Sequence, residues 1–307
     1  MEAPERAAHV EGIVMSLSQA PLPVEKPKTP AEKPSPGACD AHLHMLAQSD
    51  DFPLWSGRAE DPGPGSLDDW LDRFRLHLDV LGIERGVIVH SIFYGTDNAV
   101  TVAALDKLGR DRFRAVGLVD DDATDADLDA LVDAGIVGVR LNYVHRGVLS
   151  FEGVAAMAPR LAERGLHVQM LMNADKHMAD LAGAVVDLGV SVVFDHIGWP
   201  DLAAGVDEPG FEMLRRLLDE GKCWIKLSGI YRLCGAPYEA SDAAVAALVD
   251  ANPERCLWGS DWPHIMLADA AMPDAGELLD ALHRVVTDTE TRQRILVDNP
   301  AGLYGFG

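Results

Sequence analysis

The sequence predicts an α/β fold: a single-domain, closed (β/α)8 barrel that follows a disordered, proline-rich N-terminal leader. From Gly37 onward, short apolar runs rich in β-branched residues alternate with amphipathic runs. Eight strand-like runs are found, whereas an open, doubly wound sheet usually has about five to seven strands. The turn after the first run also lacks the G-x-G-x-x-G pattern of such a sheet. These observations favour a closed parallel barrel, the TIM-barrel architecture.

The predicted strands are short and evenly spaced, as expected of buried parallel strands. They cover residues 38–45, 86–91, 113–119, 137–142, 167–173, 191–196, 223–228 and 256–260. Amphipathic periodicity predicts helices between them over 66–81, 125–134, 151–164, 175–188, 210–220 and 241–251. Two of these begin with capping pairs, Ser66 with Asp69 and Thr124 with Asp127. Several end at glycine, as helices commonly do.

Composition divides the chain into a leader over 1–37 and a barrel over 38–307. Residues 20–37, APLPVEKPKTPAEKPSPG, are rich in Pro, Lys and Glu and predict an extended, disordered segment. The remainder suits one barrel domain of about 250 residues. A proline-rich insertion at 50–65 follows the first strand, so we expect it at the active-site face, where it could cover the pocket.

The formal net charge of −23 argues against nucleic-acid or anionic-membrane partners, because both are polyanions. No apolar run approaches the roughly 18 residues that span a bilayer, and the N-terminus lacks the pattern of a signal peptide. The four cysteines show no C-x-x-C spacing. They predict reduced thiols in a cytoplasmic protein.

Three predicted strands end in residues suited to catalysis. The first ends in His42-x-His44, the sixth in His196, and the eighth in Asp261. Strand ends converge in a barrel, so these four residues are the predicted catalytic set. Each also has a structural interpretation, such as a buried histidine pair or a helix N-cap.

A second group of residues is suited to binding an anionic small molecule. Arg140 and the nearby Arg146 follow the fourth strand, and Arg232 follows the seventh. Arginines at strand ends suit bidentate binding of a carboxylate or sulfonate, although each alone is more often part of a surface ion pair. Ser91, after the second strand, either lines the pocket or caps the next helix.

The motifs together resemble those of the amidohydrolase-2 group of the amidohydrolase superfamily, in particular its lactonases. The resemblance runs from about Gly37 to Tyr304, with the motifs in order. The motifs are Asp40-Ala-His42-x-His44, Gly95-Thr-Asp-Asn98, Gly138-Val-Arg140-Leu-Asn142, Asp195-His196-Ile-Gly198-x-Pro200-Asp201 and Trp258-Gly-Ser-Asp261-Trp-Pro-His264.

The resemblance implies hydrolysis of a cyclic ester bearing acidic groups, such as a pyrone carboxylate or a muconolactone from aromatic degradation. It implies Asp261 as the general base for water, the three histidines as groups that polarise the carbonyl, and Arg140, Arg146 and Arg232 as carboxylate ligands. Two positions depart from the pattern. Trp199, a predicted substrate-binding residue, stands where the lactonases have arginine, and Leu171 stands where they have tyrosine.

The resemblance also bears on cofactors and alternatives. The lactonase that the motifs resemble most is similar to a metal-independent variant, and the fifth strand offers only His167, at its start, so the sequence predicts no required metal. Any metal present would be Zn²⁺ at His42, His44, His196 and Asp261. One alternative is a zinc-dependent decarboxylase or hydratase of the same superfamily. The other is a non-catalytic barrel that binds an aromatic acid.

Overall fold

The computed structural model describes residues 17–48, 52–144 and 147–306. Within these ranges, eight parallel strands form one sheet in the order β1 to β8, each followed by a helix, which confirms the predicted (β/α)8 barrel. Most strands end a few residues before their predicted ends. The strands are β1 Cys39–Leu43, β2 Arg85–Val89, β3 Phe113–Gly117, β4 Ile136–Asn142, β5 His167–Leu171, β6 Val192–Phe194, β7 Trp224–Leu227 and β8 Cys256–Trp258.

The helices pack outside the sheet in the expected alternation. Both predicted capping boxes are present, and Gly82 ends the first helix in the left-handed conformation, with φ of 75°. The helices are α1 Leu67–Leu81, α2 Ala99–Leu108, α3 Asp125–Asp133, α4 Phe151–Glu163, α5 Ala174–Asp187, α6 Pro209–Asp219, α7 Asp242–Ala251, α8 Ala275–Val285, α9 Thr289–Gln293 and α10 Asn299–Tyr304.

Backbone hydrogen bonds between the loop after β8 and strand β1 close the barrel. The N–H of Asp261 donates to the carbonyl of His42 at 2.8 Å, and the N–H of His44 donates to the carbonyl of Trp262 at 2.7 Å. Gly259 permits this approach, because a Cβ there would lie 2.5 Å from Cβ of His42 and 2.8 Å from its backbone nitrogen. The first and the last catalytic motif of the chain are thereby joined by backbone hydrogen bonds.

The opposite end of the barrel is covered by the C-terminal residues. The ring of Tyr304 contacts His167 at the start of β5, and Phe306 lies under the guanidinium of Arg85 at the start of β2. Both aromatic residues belong to a small core cluster with interior strand residues such as Val87 and Leu257. Since this end is filled, an open site lies at the carboxyl ends of the strands.

The described part of the leader, residues 17–37, contains no helix, in line with the predicted extended segment. It is nonetheless attached to the barrel, which disorder would not predict. The backbone N–H groups of Lys28, Ala31 and Gly37 donate to the carboxylates of Asp274, Asp280 and Glu84, respectively. An extended proline-rich chain leaves its N–H groups unpaired, so acidic side chains on the barrel surface can bind it.

Two further predictions concern the cysteines and the possibility of a membrane-spanning helix. All four cysteines are free thiols, as the absence of paired spacing predicts. Among the helices that the structure describes, none combines the length and apolarity needed to cross a bilayer. The insertion over 50–65, described from residue 52, contributes Ala59 and Glu60 to a cleft at the mouth of the barrel.

Candidate functional site

The structure brings the four predicted catalytic residues into one buried cluster at the barrel mouth. Nε2 of His42 and Nε2 of His44 lie 3.5 Å and 3.3 Å from Oδ1 of Asp261. Nε2 of His196 lies 3.6 Å from Oδ2 of the same carboxylate. All four side chains are at most 3% exposed. Three imidazoles therefore surround one carboxylate away from solvent.

Contacts with neighbouring segments orient the imidazoles of His42 and His44, the pair at the end of β1. Nδ1 of His44 lies 2.7 Å from the carbonyl oxygen of Val89, which can only accept, so Nδ1 carries a proton, while Nε2 faces Oδ1 of Asp261. Nδ1 of His42 lies 3.2 Å from Oδ1 of Asp195, a charge contact that likewise favours a proton on Nδ1. Burial lowers the pKa of His42 well below its usual value despite the attraction of Asp195.

His196 is held in a tight turn after β6. Its φ is 55°, and the φ angles of Ile197 and Trp199 are also positive. Nδ1 of His196 lies 2.9 Å from Oγ of Ser228, a hydroxyl that can donate or accept. A Cβ at Gly229 would lie 2.5 Å from Cγ of His196, so glycine is needed for the ring to sit there. Burial lowers the pKa of His196 to about 4.

Asp261 uses its two oxygens differently. Oδ2 accepts hydrogen bonds from the hydroxyl of Tyr231 at 2.7 Å and from Nε of Arg232 at 3.0 Å. Oδ1 is buried and has no hydrogen-bond partner among the described residues. Burial alone would raise the pKa of Asp261, but Arg232 and His196 lower it well below its usual value. The carboxylate is therefore ionised at neutral pH with one oxygen free.

A buried lysine lies beneath the cluster and was missed by the sequence analysis. Nζ of Lys226 donates to Oε1 of Gln169 at 2.6 Å and lies 3.5 Å from Oδ1 of Asp195 and 3.4 Å from Nδ1 of His42. Burial lowers the pKa of Lys226 to about 8, although Asp195 raises it. A lysine inside the apolar strand run Cys-Trp-Ile-Lys-Leu was the available signal, because lysine is almost never fully buried without a partner.

Asp40, in the same motif as the histidine pair, has a structural position. Its carboxylate accepts from the backbone N–H groups of His42 at 3.1 Å and Ser260 at 2.9 Å, and also from the hydroxyl of Ser260. These bonds connect β1 to the turn after β8. Asp40 therefore supports the cluster by fixing the two segments that carry it.

Two predicted substrate-binding residues line a small inner cavity beside Asp261. Arg140 is partly buried and donates from Nη1 to the carbonyl of His90 at 3.2 Å, while its Nε has no partner among the described residues. Ser91 accepts from the N–H of Phe93 at 3.4 Å and also lines this cavity. Arg146, the third residue predicted on this side, lies outside the described residues.

Arg232 and Trp199 lie on the other side of the inner cavity. Arg232 directs its donors to protein groups: Nε and Nη2 to Asp261 at 3.0 and 2.9 Å, and the two Nη atoms to the carbonyls of Ile265 and Met266 at 3.0 and 3.2 Å. Arg232 therefore holds the carboxylate of Asp261 in place. Substrate binding by Arg232 stays a prediction. The ring of Trp199 contacts the ring of His196 edge-on, with centroids 5.8 Å apart.

The donor set at the centre could hold a metal ion. One ligand atom each from His42, His44 and Asp261 lie within 4.8 Å of one another, and all three residues are buried. Nε2 of His42 and Oδ1 of Asp261 are buried polar atoms without hydrogen-bond partners in the part of the chain that the structure describes. Ligating histidines usually give their other N–H to a carbonyl or carboxylate, as the β1 pair does here.

A (β/α)8 barrel with a histidine pair on β1, a third histidine after β6 and an aspartate after β8 defines a hydrolase of the amidohydrolase type. The chain belongs to the amidohydrolase family, whose Amidohydrolase model matches residues 39–306. The resemblance inferred from the motifs is thus confirmed at the level of the family.

The relatives are lactone-acting enzymes by name. The chain is 35% identical to a 4-sulfomuconolactone hydrolase of Rhizobium radiobacter over 277 residues, covering 88% of this chain and 90% of the relative. It is 34% identical to a 2-pyrone-4,6-dicarbaxylate hydrolase of Comamonas testosteroni, covering 91% and 93%. A solved structure of a probable 2-pyrone-4,6-dicarboxylic acid hydrolase from Acinetobacter baumannii, with citric acid bound, has a TM-score of 0.77, with 25% identity over 88% of this chain and 100% of that chain.

Proposed function

We propose that this protein hydrolyses a lactone that carries an acidic group, of the kind formed in aromatic degradation, with water activated by Asp261. One observation carries the proposal: Asp261 is buried and ionised beside three imidazoles, and its Oδ1, next to His42 and His44, has no hydrogen-bond partner among the described residues. The names of the relatives, which act on a sulfomuconolactone and a pyrone dicarboxylate, support the substrate class. A cytoplasmic location stays a prediction.

In the proposed reaction, Oδ1 of Asp261 takes a proton from water as the water oxygen attacks the ring carbonyl. Tyr231 and Arg232 hold Oδ2, so Oδ1 keeps a fixed position next to Nε2 of His42 and Nε2 of His44. The tetrahedral intermediate collapses with cleavage of the ring C–O bond. The leaving ring oxygen receives the proton from Asp261, which gives a hydroxy (or enol) acid and regenerates the carboxylate.

The histidines have different parts in this reaction. His42 and His44 place their Nε2 atoms 3.5 and 3.3 Å from Oδ1 of Asp261, so these imidazoles position the water that Asp261 activates. His196 can carry its proton on Nε2 when Ser228 donates to its Nδ1, which makes it the imidazole suited to polarise the carbonyl. Arg140 lines the inner cavity, and its buried Nε has no partner among the described residues, so its guanidinium is suited to bind the acidic group of the substrate.

The same residues suit a divalent cation. Nε2 of His42, Nε2 of His44 and Oδ1 of Asp261 would hold it, and nitrogen and carboxylate ligands match the preference of Zn²⁺. When bound, the ion would supply Lewis-acid polarisation of the carbonyl. The prediction of no required cofactor is therefore tested by zinc content and by turnover with and without a chelator.

The central experiment compares Asp261→Asn with the wild type. The substrates are a panel of pyrone carboxylates and muconolactones, followed by loss of ring absorbance. We expect the substitution to lower turnover by roughly 100- to 10,000-fold, the usual contribution of a general base, while the fold is retained. Asp201→Asn, in an exposed turn, is the matched control and should leave turnover unchanged. Wild-type turnover in Asp261→Asn would refute the assignment.

The metal-ligand group also favours a second candidate, a zinc-dependent decarboxylase or hydratase of the same family. Product analysis separates the two: ring opening without loss of carbon supports the lactonase, whereas release of CO2 or addition of water to a double bond supports the alternative. A barrel that only binds an aromatic acid does not explain a buried carboxylate oxygen without a partner among the described residues. Burying an unpaired charged group costs free energy, and a protein that does no chemistry gains nothing from it.

A further inference from the structure

The inner cavity adjoins a much larger outer cleft. Trp199, Arg232 and Met266 line both spaces and form the boundary between them. The inner cavity offers about 40 Å³ and the outer cleft about 740 Å³. A cavity needs about 10–15 Å³ of such volume to hold one water molecule, so the inner cavity has room for about three waters and cannot alone enclose a substituted lactone. The cavity beside Leu149, which shares Arg140 with the inner cavity, offers only about 10 Å³, so a substrate whose carbonyl reaches Asp261 extends into the outer cleft.

The charges of the outer cleft disfavour an anionic group. Arg232 is the cation among its described lining residues, and its donors are used by Asp261 and by two backbone carbonyls. The lining also contains the carboxyl groups of Glu60 and Asp269, the first of which accepts from the N–H of Met266 at 2.9 Å. Among the residues that the structure describes in this lining, a second carboxylate on the substrate would meet two acids and no available cation.

Apolar side chains supply most of the remaining surface. Leu233, Met266 and Leu267 line the cleft, and Trp199 forms its boundary with the inner cavity. These residues come from the loops after β6, β7 and β8, so the cleft is built by segments that also hold catalytic groups. Arg140, by contrast, lines the inner cavity and not the outer cleft. The inner cavity is therefore lined by a cationic side chain and the outer cleft largely by apolar ones, so the two suit different substituents.

We propose that the outer cleft is a subsite for an uncharged, apolar substituent of the lactone. The preferred substrate then has its acid group near Arg140 and an alkyl or aryl group packed against Trp199 and Leu233. This inference rests on the proposed lactone hydrolysis and adds the nature of the second substituent. It predicts that a dicarboxylate is a poorer substrate than a monocarboxylate with an apolar arm.

The test uses 2-pyrone carboxylates that share one carboxylate and differ at one ring position, where they bear hydrogen, carboxylate, butyl or phenyl. Each well-buried methylene favours binding roughly fourfold. We expect kcat/KM for the butyl and phenyl compounds to exceed that for the dicarboxylate by at least about tenfold. Preference for the dicarboxylate over both would overturn the subsite while leaving lactone hydrolysis intact.

A charge placed in the cleft provides the second arm. Leu233→Lys should lower the ratio of kcat/KM for butyl over carboxylate compounds by at least about tenfold, because the new ammonium attracts the carboxylate. Leu267→Lys places the charge from another loop and should act in the same direction. Leu76→Lys, on the exposed side of α1, is the matched control and should leave the ratio unchanged. Unchanged ratios in both cleft variants would refute the inference, whereas no turnover of any lactone would refute the proposed function itself.

Discussion

Replacing Arg232 by methionine separates two roles for this arginine: holding Asp261 and holding substrate. In the wild type, Nε and Nη2 donate to Oδ2 of Asp261 at 3.0 and 2.9 Å. Removing the guanidinium leaves the carboxylate with Tyr231 and the imidazoles. A nearby opposite charge lowers a carboxyl pKa by about 1–3 units, so the pKa of Asp261 should rise by that amount. The breaking of a buried pair should also lower the free energy of unfolding by about 3–5 kcal/mol.

The kinetic consequences follow from the sign of this shift. Asp261 acts as the carboxylate, so the acid limb of the pH–kcat profile should move upward by about 1–3 pH units. kcat should fall because the base is less well fixed, while KM changes by less than about threefold. Arg232→Lys keeps the charge but loses the fork of donors, so it should fall between wild type and Arg232→Met.

Arg140→Met is the matched comparison, because Arg140 has a free donor in the inner cavity. There KM should rise roughly 10- to 100-fold, the value of a charged hydrogen bond to substrate, while the acid limb stays in place. Steady-state kinetics over a pH range that extends down through the acid limb, with thermal unfolding as the check on folding, distinguishes the two variants. A large increase in KM for Arg232→Met, with kcat and the acid limb unchanged, would refute the assignment of Arg232 as a clamp.

Three further predictions concern the surroundings of the site. Lys226→Met should lower the free energy of unfolding by about 3–5 kcal/mol in urea titrations, because it leaves the charge of Asp195 without its partner. Adding Asp195→Asn should restore part of the lost stability, and losses that simply add in the double variant would contradict this. Burial lowers the pKa of His167 to about 3 in the folded state, below its pKa in the unfolded chain, so folding stability is lost as the pH falls below about 6.5. His167→Phe should therefore reduce the loss of unfolding free energy between pH 7 and 5 by about 2 kcal/mol. The same loss in His167→Phe as in the wild type would contradict this prediction. Gly229→Ala should lower kcat roughly 100-fold by displacing His196, and wild-type kcat would show that the ring tolerates the added methyl group.

Periodicity and strand ends were sufficient to predict the barrel and the positions of its catalytic candidates. A residue at or just after the carboxyl end of a parallel strand lies at the mouth whatever the loop does next, so His42, His196 and Asp261 were predictable from order alone. Their mutual distances also follow, since eight strands leave little room between opposite walls.

Loop side chains could not be predicted in the same way. The sequence gives Arg232 as a cation near the mouth, but its direction depends on a 3-10 turn over Ile230–Arg232 and on carbonyls from the loop after β8. The contacts of the leader with Asp274 and Asp280 join residues more than 240 positions apart, a separation at which local pattern carries no information. The buried lysine was detectable in type, but its partner Gln169 on β5 was not, because pairing requires the barrel register.

Closure of the barrel and formation of the candidate site depend on the same contacts. Asp261 has φ of 62°, a conformation that costs a non-glycine residue about 1–3 kcal/mol and persists only where the surroundings impose it. Its N–H donates to the carbonyl of His42, and the adjacent Ser260 is bonded to Asp40. The proposed base is therefore held in a strained position by the strand that carries the histidine pair. A loosened junction between β1 and β8 would release the strain by moving the carboxylate, so we infer that activity is lost before the fold is.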